Sequence, residues 1–351
     1  MKAIAVDQLE PGMVLARTVT NSDFVVVLSE NTELSTAHIT RLKFLDVPVV
    51  YIKDEFDLSH NYQQAAAVIK KDSAFTHDFE NVSKMADEIF TAIKEGKDAE
   101  KTTKKLAAHI LPLADNSGSI DYLFSLGHMN SSVILHSERV SILSGVIAKW
   151  MRFNWEEIRL IVTAAFLHDV GKQKFPERLV GKNPENLKGS DLQEYIEHCK
   201  TGYKILKDAK FEEPIPTVAL QHHERMNGSG FPSALKGNDI HPFARIVAVA
   251  DAYDNLTSET PGSVKRTPFH AINYFVNEIY SSFDPVVCIP LLTRIKDSLI
   301  GAQVVLSNGQ KGSITFYPKD FSASPVILLE SGEELNLNLR KDISIAQYNS
   351  I

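Results

Sequence analysis

The chain has 351 residues, of which 44% are hydrophobic and 23% charged, and its formal net charge is −7. This composition is typical of globular proteins with two or three domains, and the acidic balance disfavours binding of long nucleic acid, which relies on basic surface. The only cysteines are Cys199 and Cys288, which excludes a disulfide framework and a thiolate zinc site. No apolar run reaches the length of about 18 residues that spans a membrane, and Asp7 and Glu10 interrupt the N-terminus where a signal peptide would be apolar, so we expect a cytoplasmic protein without membrane attachment.

Residues 1–58 are predicted to form a small α+β domain. Its strands are predicted at 13–16, 24–28 and 49–52, where apolar and β-branched residues concentrate. A helix is predicted to run from Ser35 or Thr36 to Leu45, because a hydroxyl side chain can cap the first turn.

Residues 59–130 are predicted to be a helical connector that packs on the domain after it. An apolar series recurs every three or four residues along one helix face, consisting of Phe79, Val82, Met85, Ile89 and Ile93. The polar and flexible residues 116–118 indicate a break near the end of this segment.

The remaining chain is predicted to contain a helical domain at 131–299 and a β-rich extension at 300–351. In the extension, the turn signal Ser-Asn-Gly at 307–309 stands between apolar β-branched runs, and further strands are predicted at 313–316 and 325–329. The predicted fold class is therefore mainly α, with small α+β and β-rich parts at the two ends.

All candidate metal ligands lie in the helical domain. His136, for example, shares a helix face with Val140, Leu143 and Ile147, which points its imidazole toward a core. One such histidine is more often a hydrogen-bonded core residue than a ligand. The joint pattern is stronger, and it comprises His136, His168, Asp169, His198, His222, His223 and Asp251. Imidazoles and carboxylates without thiolates suit iron, manganese or zinc in a hydrolase.

The chemistry expected of such a cluster is hydrolysis at a pair of metals. Two cations about 3.5–4 Å apart can bridge a water and lower its pKa toward ~7. Asp169 is the natural bridging ligand, because a carboxylate has two oxygens. Lys172 follows His168 by about one helical turn, and it is either a contact to phosphate or nucleophile or a surface lysine.

The segment His-His-Glu-Arg-Met-Asn-Gly-Ser-Gly-Phe-Pro at 222–232 is predicted to be a shaped loop beside the ligands. Gly228 and Gly230 permit positive φ angles and close approach of the backbone. Arg225 could hold a phosphate in bidentate geometry. Arg245 could do the same or pair with a carboxylate, and the sequence leaves these two roles open.

These motifs together resemble the HD-GYP family of the HD phosphohydrolase superfamily. The resemblance rests on His168-Asp169-Val-Gly-Lys172, His198, the 222–232 segment and the run from Ala244 to Asp254, and it covers about 131–299. It implies a helical bundle that holds metals, often iron and sometimes manganese, and hydrolyses cyclic di-GMP to pGpG and GMP. It also implies that the seven residues above are ligands. Asp169 and Lys172 then act in catalysis, and Lys172, Arg225, Gly228, Gly230 and Arg245 lie at the substrate.

Three positions depart from the family pattern. Asn227 stands where the signature has Asp, Phe231 where it has Tyr, and Ser132 where members with three metals have Glu. We therefore expect two metals, iron or manganese. The alternatives are a weakly active module that binds cyclic di-GMP or another protein, and a phosphohydrolase of a different nucleotide. A diguanylate cyclase or other signalling protein and a second copy of the chain are the partners considered.

Overall fold

The structure is a computed structural model, and its secondary structure is mainly helical with a small antiparallel sheet near the C-terminus. The described residues are 2–15, 19–20, 26–29, 32–45, 47, 49–52, 73–95, 97, 100–115, 133–179, 182, 187–258, 267–318, 320 and 324–349. The predicted fold class is confirmed. The expected break at 116–118 and the position of Ser132 lie outside the described residues.

The chain divides into two compact units, one made of residues 73–292 and one that combines 1–72 with 293–351. The second grouping joins the two ends of the chain, which local sequence patterns do not reveal. The four-part division with boundaries after 58, 130 and 299 stays a prediction.

The unit formed by the chain ends contains two small antiparallel pairs, a helix and a five-stranded sheet. The strand β1 (Lys2–Ala5) pairs with β4 (Val49–Ile52), and β2 (Val19–Thr20) pairs with β3 (Val26–Leu28). The helix α1 (Thr36–Phe44) begins as predicted, because the Ser35 hydroxyl accepts a hydrogen bond from the backbone N–H of His38 at 3.2 Å. The strand predicted at 13–16 is wrong for its described residues, where Val14 and Leu15 form only isolated bridges.

The five-stranded antiparallel sheet of this unit confirms the β-rich extension. Its spatial order is β8-β7-β6-β5-β9. The strands are β5 (Gln303–Leu306), β6 (Lys311–Phe316), β7 (Val326–Leu329), β8 (Glu334–Asn336) and β9 (Ile345–Asn349). The turn between β5 and β6 has Gly309 at φ +82, a conformation that glycine adopts without strain.

The other unit is a helical bundle. Its helices are α2 (Ser73–Lys94), α3 (Glu100–Asp115), α4 (Val133–Trp150), α5 (Trp155–Leu167), α6 (Gly189–Asp208), α7 (Ile215–Gln221), α8 (Pro242–Thr257), α9 (Pro268–Glu278) and α10 (Pro285–Ser298), and the division between the units falls inside α10. On α2 the predicted apolar face is buried at Phe79, Val82, Ile89 and Ile93. None of the described helices combines the length and the apolar character that a membrane crossing needs.

The middle of the bundle is built around α4 and α5. Residues 136–148 of α4 are all buried, so polar side chains on this helix need partners within the protein. Helix α5 starts with a reciprocal cap, in which Asn154 and Glu157 each accept a hydrogen bond from the other's backbone N–H. It ends at Leu167, and the chain turns through His168 and Asp169 into a short 3-10 turn, Val170–Lys174.

Candidate metal centre

The seven predicted ligands, which come from five separate parts of the bundle, meet in its interior. They form two groups, and within each group one ligand atom per residue lies within 4.8 Å of the others. The first group is His136 on α4, His168 after α5 and Asp251 on α8. The second group is Asp169 after α5, His198 on α6 and the pair His222 and His223 after α7. All seven side chains are buried.

Asp169 lies between the two groups. Its Oδ2 is 3.7 Å from Nε2 of His136 and 3.5 Å from Nε2 of His168. Its Oδ1 is 3.3 Å from Nε2 of His198 and 3.5 Å from Nε2 of His222. Each carboxylate oxygen therefore faces a different group, which is the arrangement that a ligand shared by two cations requires.

Three of the imidazoles are oriented by the main chain of their own helical turn. Nδ1 of His168 is 2.6 Å from the carbonyl oxygen of Ala165, and Nδ1 of His222 is 3.0 Å from that of Ala219. Nδ1 of His198 bonds in the same way to the carbonyl three residues earlier. If Nδ1 carries the proton in each case, Nε2 presents a lone pair to the cluster, as a metal ligand must.

Several atoms in the cluster lack a hydrogen bond. Nε2 of His168, Nε2 of His223 and Oδ1 of Asp169 are buried and have no hydrogen-bond partner among the described residues. Leaving buried polar atoms unpaired costs roughly 1–3 kcal/mol each, so a native protein normally satisfies them. Cations held by these atoms would satisfy them, and the residues present therefore fit a pair of metals.

The charges within the cluster also fit cation binding. Burial would raise the pKa of Asp169, but the Lys172 ammonium, which donates to its Oδ2 at 2.6 Å, holds that pKa well below its usual range. Burial lowers the pKa of His168 to about 3 and that of His223 well below its usual value, which keeps both rings neutral. Burial would also lower the pKa of His136, but hydrogen bonds to Asp251 and Asp254 raise it to about 9. Neutral imidazole and ionised carboxylate are the forms that bind metals, so a cation held by His136 would displace a proton from its ring.

Lys172 lies beside the cluster, and its role at the substrate stays a prediction. Its side chain is 16% exposed, and its ammonium contacts Asp169 instead of extending into solvent. It also lies 5.2 Å from the ring centroid of Tyr195, a buried residue that the sequence did not single out. The lysine therefore belongs to the cluster and is not a surface residue.

The 222–232 loop packs tightly on the turn that carries the histidine pair. A Cβ on Gly230 would lie 2.4 Å from the carbonyl oxygen of His223 and 2.5 Å from the backbone nitrogen of Arg225, so only glycine fits there. The Phe231 ring lies 4.6 Å, centroid to centroid, from that of His223. Gly228 has φ +80, in the region that favours glycine.

Glu224 secures this loop and was missed in the sequence. It is 2% exposed, and its two carboxylate oxygens accept hydrogen bonds from the backbone N–H groups of Ser233 at 2.7 Å and Leu235 at 2.9 Å. The sequence signal that could have identified Glu224 is its position immediately after the histidine pair. Asp254 and Arg139 were also missed as supports of the cluster, and they are described below.

Both candidate arginines make contacts within the protein. Nη1 of Arg225 donates to the carbonyl of Glu224 at 3.0 Å, and its guanidinium lies 4.8 Å from the Phe283 ring centroid. Arg245 donates to Oδ2 of Asp284 at 3.0 Å, which is the second of its two predicted roles. A role at the substrate stays a prediction for Arg225, Gly228, Gly230 and Arg245.

Comparison with known proteins agrees with this geometry. The sequence model of the HD domain matches residues 126–287, the part of the chain that contains all seven residues. This segment is an HD domain. Within the matched region the resemblance to the HD-GYP family is supported by relatives.

Two relatives share this HD domain. The chain is 37% identical over 159 residues to the "Cyclic di-GMP phosphodiesterase response regulator RpfG" of Xanthomonas campestris pv. campestris (strain 8004). The aligned residues make up 45% of this chain and 42% of the relative. The chain is also 39% identical over 130 residues to the "Cyclic di-GMP phosphodiesterase" of Thermotoga maritima. Here the aligned residues make up 36% of this chain and 34% of the relative. The chain thus spans less than half the length of either relative.

A solved structure extends the likeness beyond the HD domain at the level of fold. Bd1817, a HDG"Y"P protein from Bdellovibrio bacteriovorus, aligns with 84% of this chain and 97% of its own, with a TM-score of 0.50 and 20% sequence identity. At this identity the likeness concerns the fold alone.

Proposed function

We propose that this HD domain is a metal-dependent phosphodiesterase that hydrolyses cyclic di-GMP to pGpG or GMP. The observation that carries the proposal is the position of Asp169, whose two oxygens face two separate groups of buried ligands. The names of the two relatives supply the substrate class.

We infer two metals, iron or manganese. The first group offers His136, His168 and Asp251, the second offers three histidines, and Asp169 serves both. Nitrogen and oxygen donors without thiolate suit iron and manganese. When bound, such cations polarise phosphate oxygens and make a coordinated water more acidic.

The chain's own residues have separate tasks in this proposal. Burial of the cluster keeps the imidazoles of His168 and His223 neutral and limits the water that can compete with substrate. Lys172, partly exposed at the edge of the cluster, offers its ammonium to a phosphate oxygen or to the attacking oxygen. Gly230 and Glu224 hold the loop against His223, so that the histidine pair keeps its position.

The alternative of a binding module with little turnover rests on Asn227 and Phe231. Both residues are accommodated in an ordered loop. Asn227 Oδ1 accepts a hydrogen bond from the backbone N–H of Ser229 at 2.9 Å, and the Phe231 ring contacts that of His223 at an interplanar angle of 40°. Because both residues make contacts that hold the loop beside His223, the proposal favours catalysis over binding alone.

One assay separates the alternatives. The protein is purified without oxygen, loaded with iron or manganese, and cyclic di-GMP is followed by chromatography beside other cyclic dinucleotides. We expect metal-dependent pGpG or GMP that is absent with Asp169→Ala. Tight binding without product would favour the binding module, and turnover of a different nucleotide alone would favour the other phosphohydrolase. The signalling partner, the homodimer and the cytoplasmic location stay predictions.

A further inference from the structure

His136 is supported differently from His168, His198 and His222. The Nδ1 atoms of those three bond to backbone carbonyls, whereas Nδ1 of His136 lies 2.8 Å from Oδ2 of Asp254. His136 of the first group therefore depends on a charged side chain from another helix, whereas His198 and His222 of the second group take this support from the main chain.

Asp254 is in turn held by Arg139. Nε of Arg139 donates to Oδ1 of Asp254 at 2.6 Å, and Nη2 donates to Oδ2 at 2.9 Å. The Ser258 hydroxyl adds a hydrogen bond to Oδ1 at 3.1 Å. Arg139 is 1% exposed and Asp254 is 5% exposed, so water does not screen this two-point ion pair.

The spacing along two helices explains how the support reaches the ligands. His136 and Arg139 are three residues apart on α4, and Asp251 and Asp254 are three residues apart on α8, so each pair shares a helix face. The two faces meet in register. One layer joins His136 to Asp251, with Nε2 and Oδ1 3.1 Å apart, and the next layer joins Arg139 to Asp254.

A carboxylate at Nδ1 has two effects on a ligand histidine. It fixes the ring so that Nε2 points to the metal, and it increases the electron density that Nε2 donates. Arg139 keeps Asp254 ionised and in place, because a buried carboxylate without a cation would be costly. Neither residue belongs to the ligand cluster, so both would act through His136.

We propose that Arg139 and Asp254 are positioning residues that set the metal affinity of the His136–His168–Asp251 group and leave that of the Asp169–His198–His222–His223 group unchanged. This rests on the proposed function in one respect, namely that both groups hold a metal. It adds that the metal affinities of the two positions depend on different supporting residues. A substitution outside the cluster would then yield a protein with one metal.

The test is a titration of Mn²⁺ into the metal-stripped full chain, with free Mn²⁺ counted by electron paramagnetic resonance. The variant is Arg139→Gln with Asp254→Asn, which removes both charges together and so leaves no buried ion unpaired. The control is Arg159→Met, because Arg159 also contacts two carboxylates, Glu156 at 2.6 Å and Glu212 at 2.7 Å, but lies away from the cluster on α5.

We expect two Mn²⁺ per chain for the wild type and for the control. In the double variant one Mn²⁺ should bind as in the wild type and the other about 10–100-fold more weakly, as is typical when such a supporting group is lost. Arg139→Lys, which keeps the charge but not the two-point contact, should show the same selective loss to a smaller extent. It also serves as the test if the double variant does not fold.

The outcomes separate this proposal from the proposed function. Two wild-type affinities in the variants, or equal weakening of both positions, would overturn the positioning role alone. A wild-type chain that binds fewer than two Mn²⁺ would overturn the dinuclear centre and the positioning role together. Selective loss of one Mn²⁺ supports the role, because a general loss of stability would affect both positions.

Discussion

Gly171 lies in the 3-10 turn that follows Asp169, and this turn packs directly on α6. A Cβ at this position would lie 2.0 Å from the carbonyl oxygen of His198 and 2.8 Å from the backbone nitrogen of Gly202. Both are backbone atoms, so no change of rotamer can relieve the contact. Gly171→Ala therefore tests whether the approach of these two segments holds the metal centre together.

The size of the effect follows from these distances. Real Cβ contacts are almost never shorter than 3.0 Å, so the 2.0 Å contact requires the turn and α6 to separate by about 1 Å. Overpacking of a buried contact costs roughly 1–3 kcal/mol, and we expect about 3 kcal/mol here because the backbone itself must move. The same displacement would separate Asp169 from His198, whose facing atoms are 3.3 Å apart. Metal-ligand distances tolerate only about 0.2 Å, so the variant should lose metal.

The assay measures metal per chain by mass spectrometry and the free energy of unfolding of the metal-free protein in urea. Gly202→Ala is the matched control, because it adds a methyl group to the other side of the same contact. Its Cβ would lie 3.3 Å from the backbone nitrogen of Gly171 and at least 3.5 Å from other atoms, so we expect a loss below about 1 kcal/mol and normal metal content. A Gly171→Ala protein with wild-type stability and two metals would refute the reasoning.

Three further changes test other parts of the structure. Lys172→Met should keep both metals but lower kcat for cyclic di-GMP by about 100-fold, because the ammonium beside Asp169 is lost; unchanged kcat would exclude a catalytic role. Glu224→Gln should reduce the free energy of unfolding in urea by about 1–3 kcal/mol, because an amide nitrogen cannot accept one of the two backbone N–H groups, and equal stability would contradict this. Burial lowers the pKa of Lys296 to about 8, so its charged form, which dominates below that pH, destabilises the fold. The gain in unfolding free energy on Lys296→Met should therefore be about 2 kcal/mol larger near pH 7 than near pH 10, after allowance for solvent screening. A gain that does not change with pH would refute this prediction.

The ligand residues could be identified from the sequence because their signal is local. Adjacent pairs such as His168 and Asp169, and a histidine on an otherwise apolar helix face such as His136, stand out without knowledge of the fold. The helix at α1 could be predicted for the same reason, since its cap lies within three residues of its partner. The expected convergence in space then follows from the helical bundle that the motifs imply.

The supports of the cluster could not be identified in this way, because their partners are distant in the chain. Arg139 and Asp254 are 115 residues apart, and no local pattern connects them. Asp254 follows Asp251 by three residues, which puts both on one helix face, but a shared face does not show which helix lies opposite. The two possible roles of Arg245 were left open because Asp284, 39 residues away, becomes its neighbour only in the folded chain.

The main-chain support of His168, His198 and His222 bears on how such a protein can change over evolutionary time. A carbonyl oxygen is present whatever amino acid occupies the position, so Ala165, Tyr195 or Ala219 could be exchanged for other helix-forming residues without removing these hydrogen bonds. Substitutions at the positions that supply these carbonyls would therefore be tolerated more readily than substitutions of Asp254.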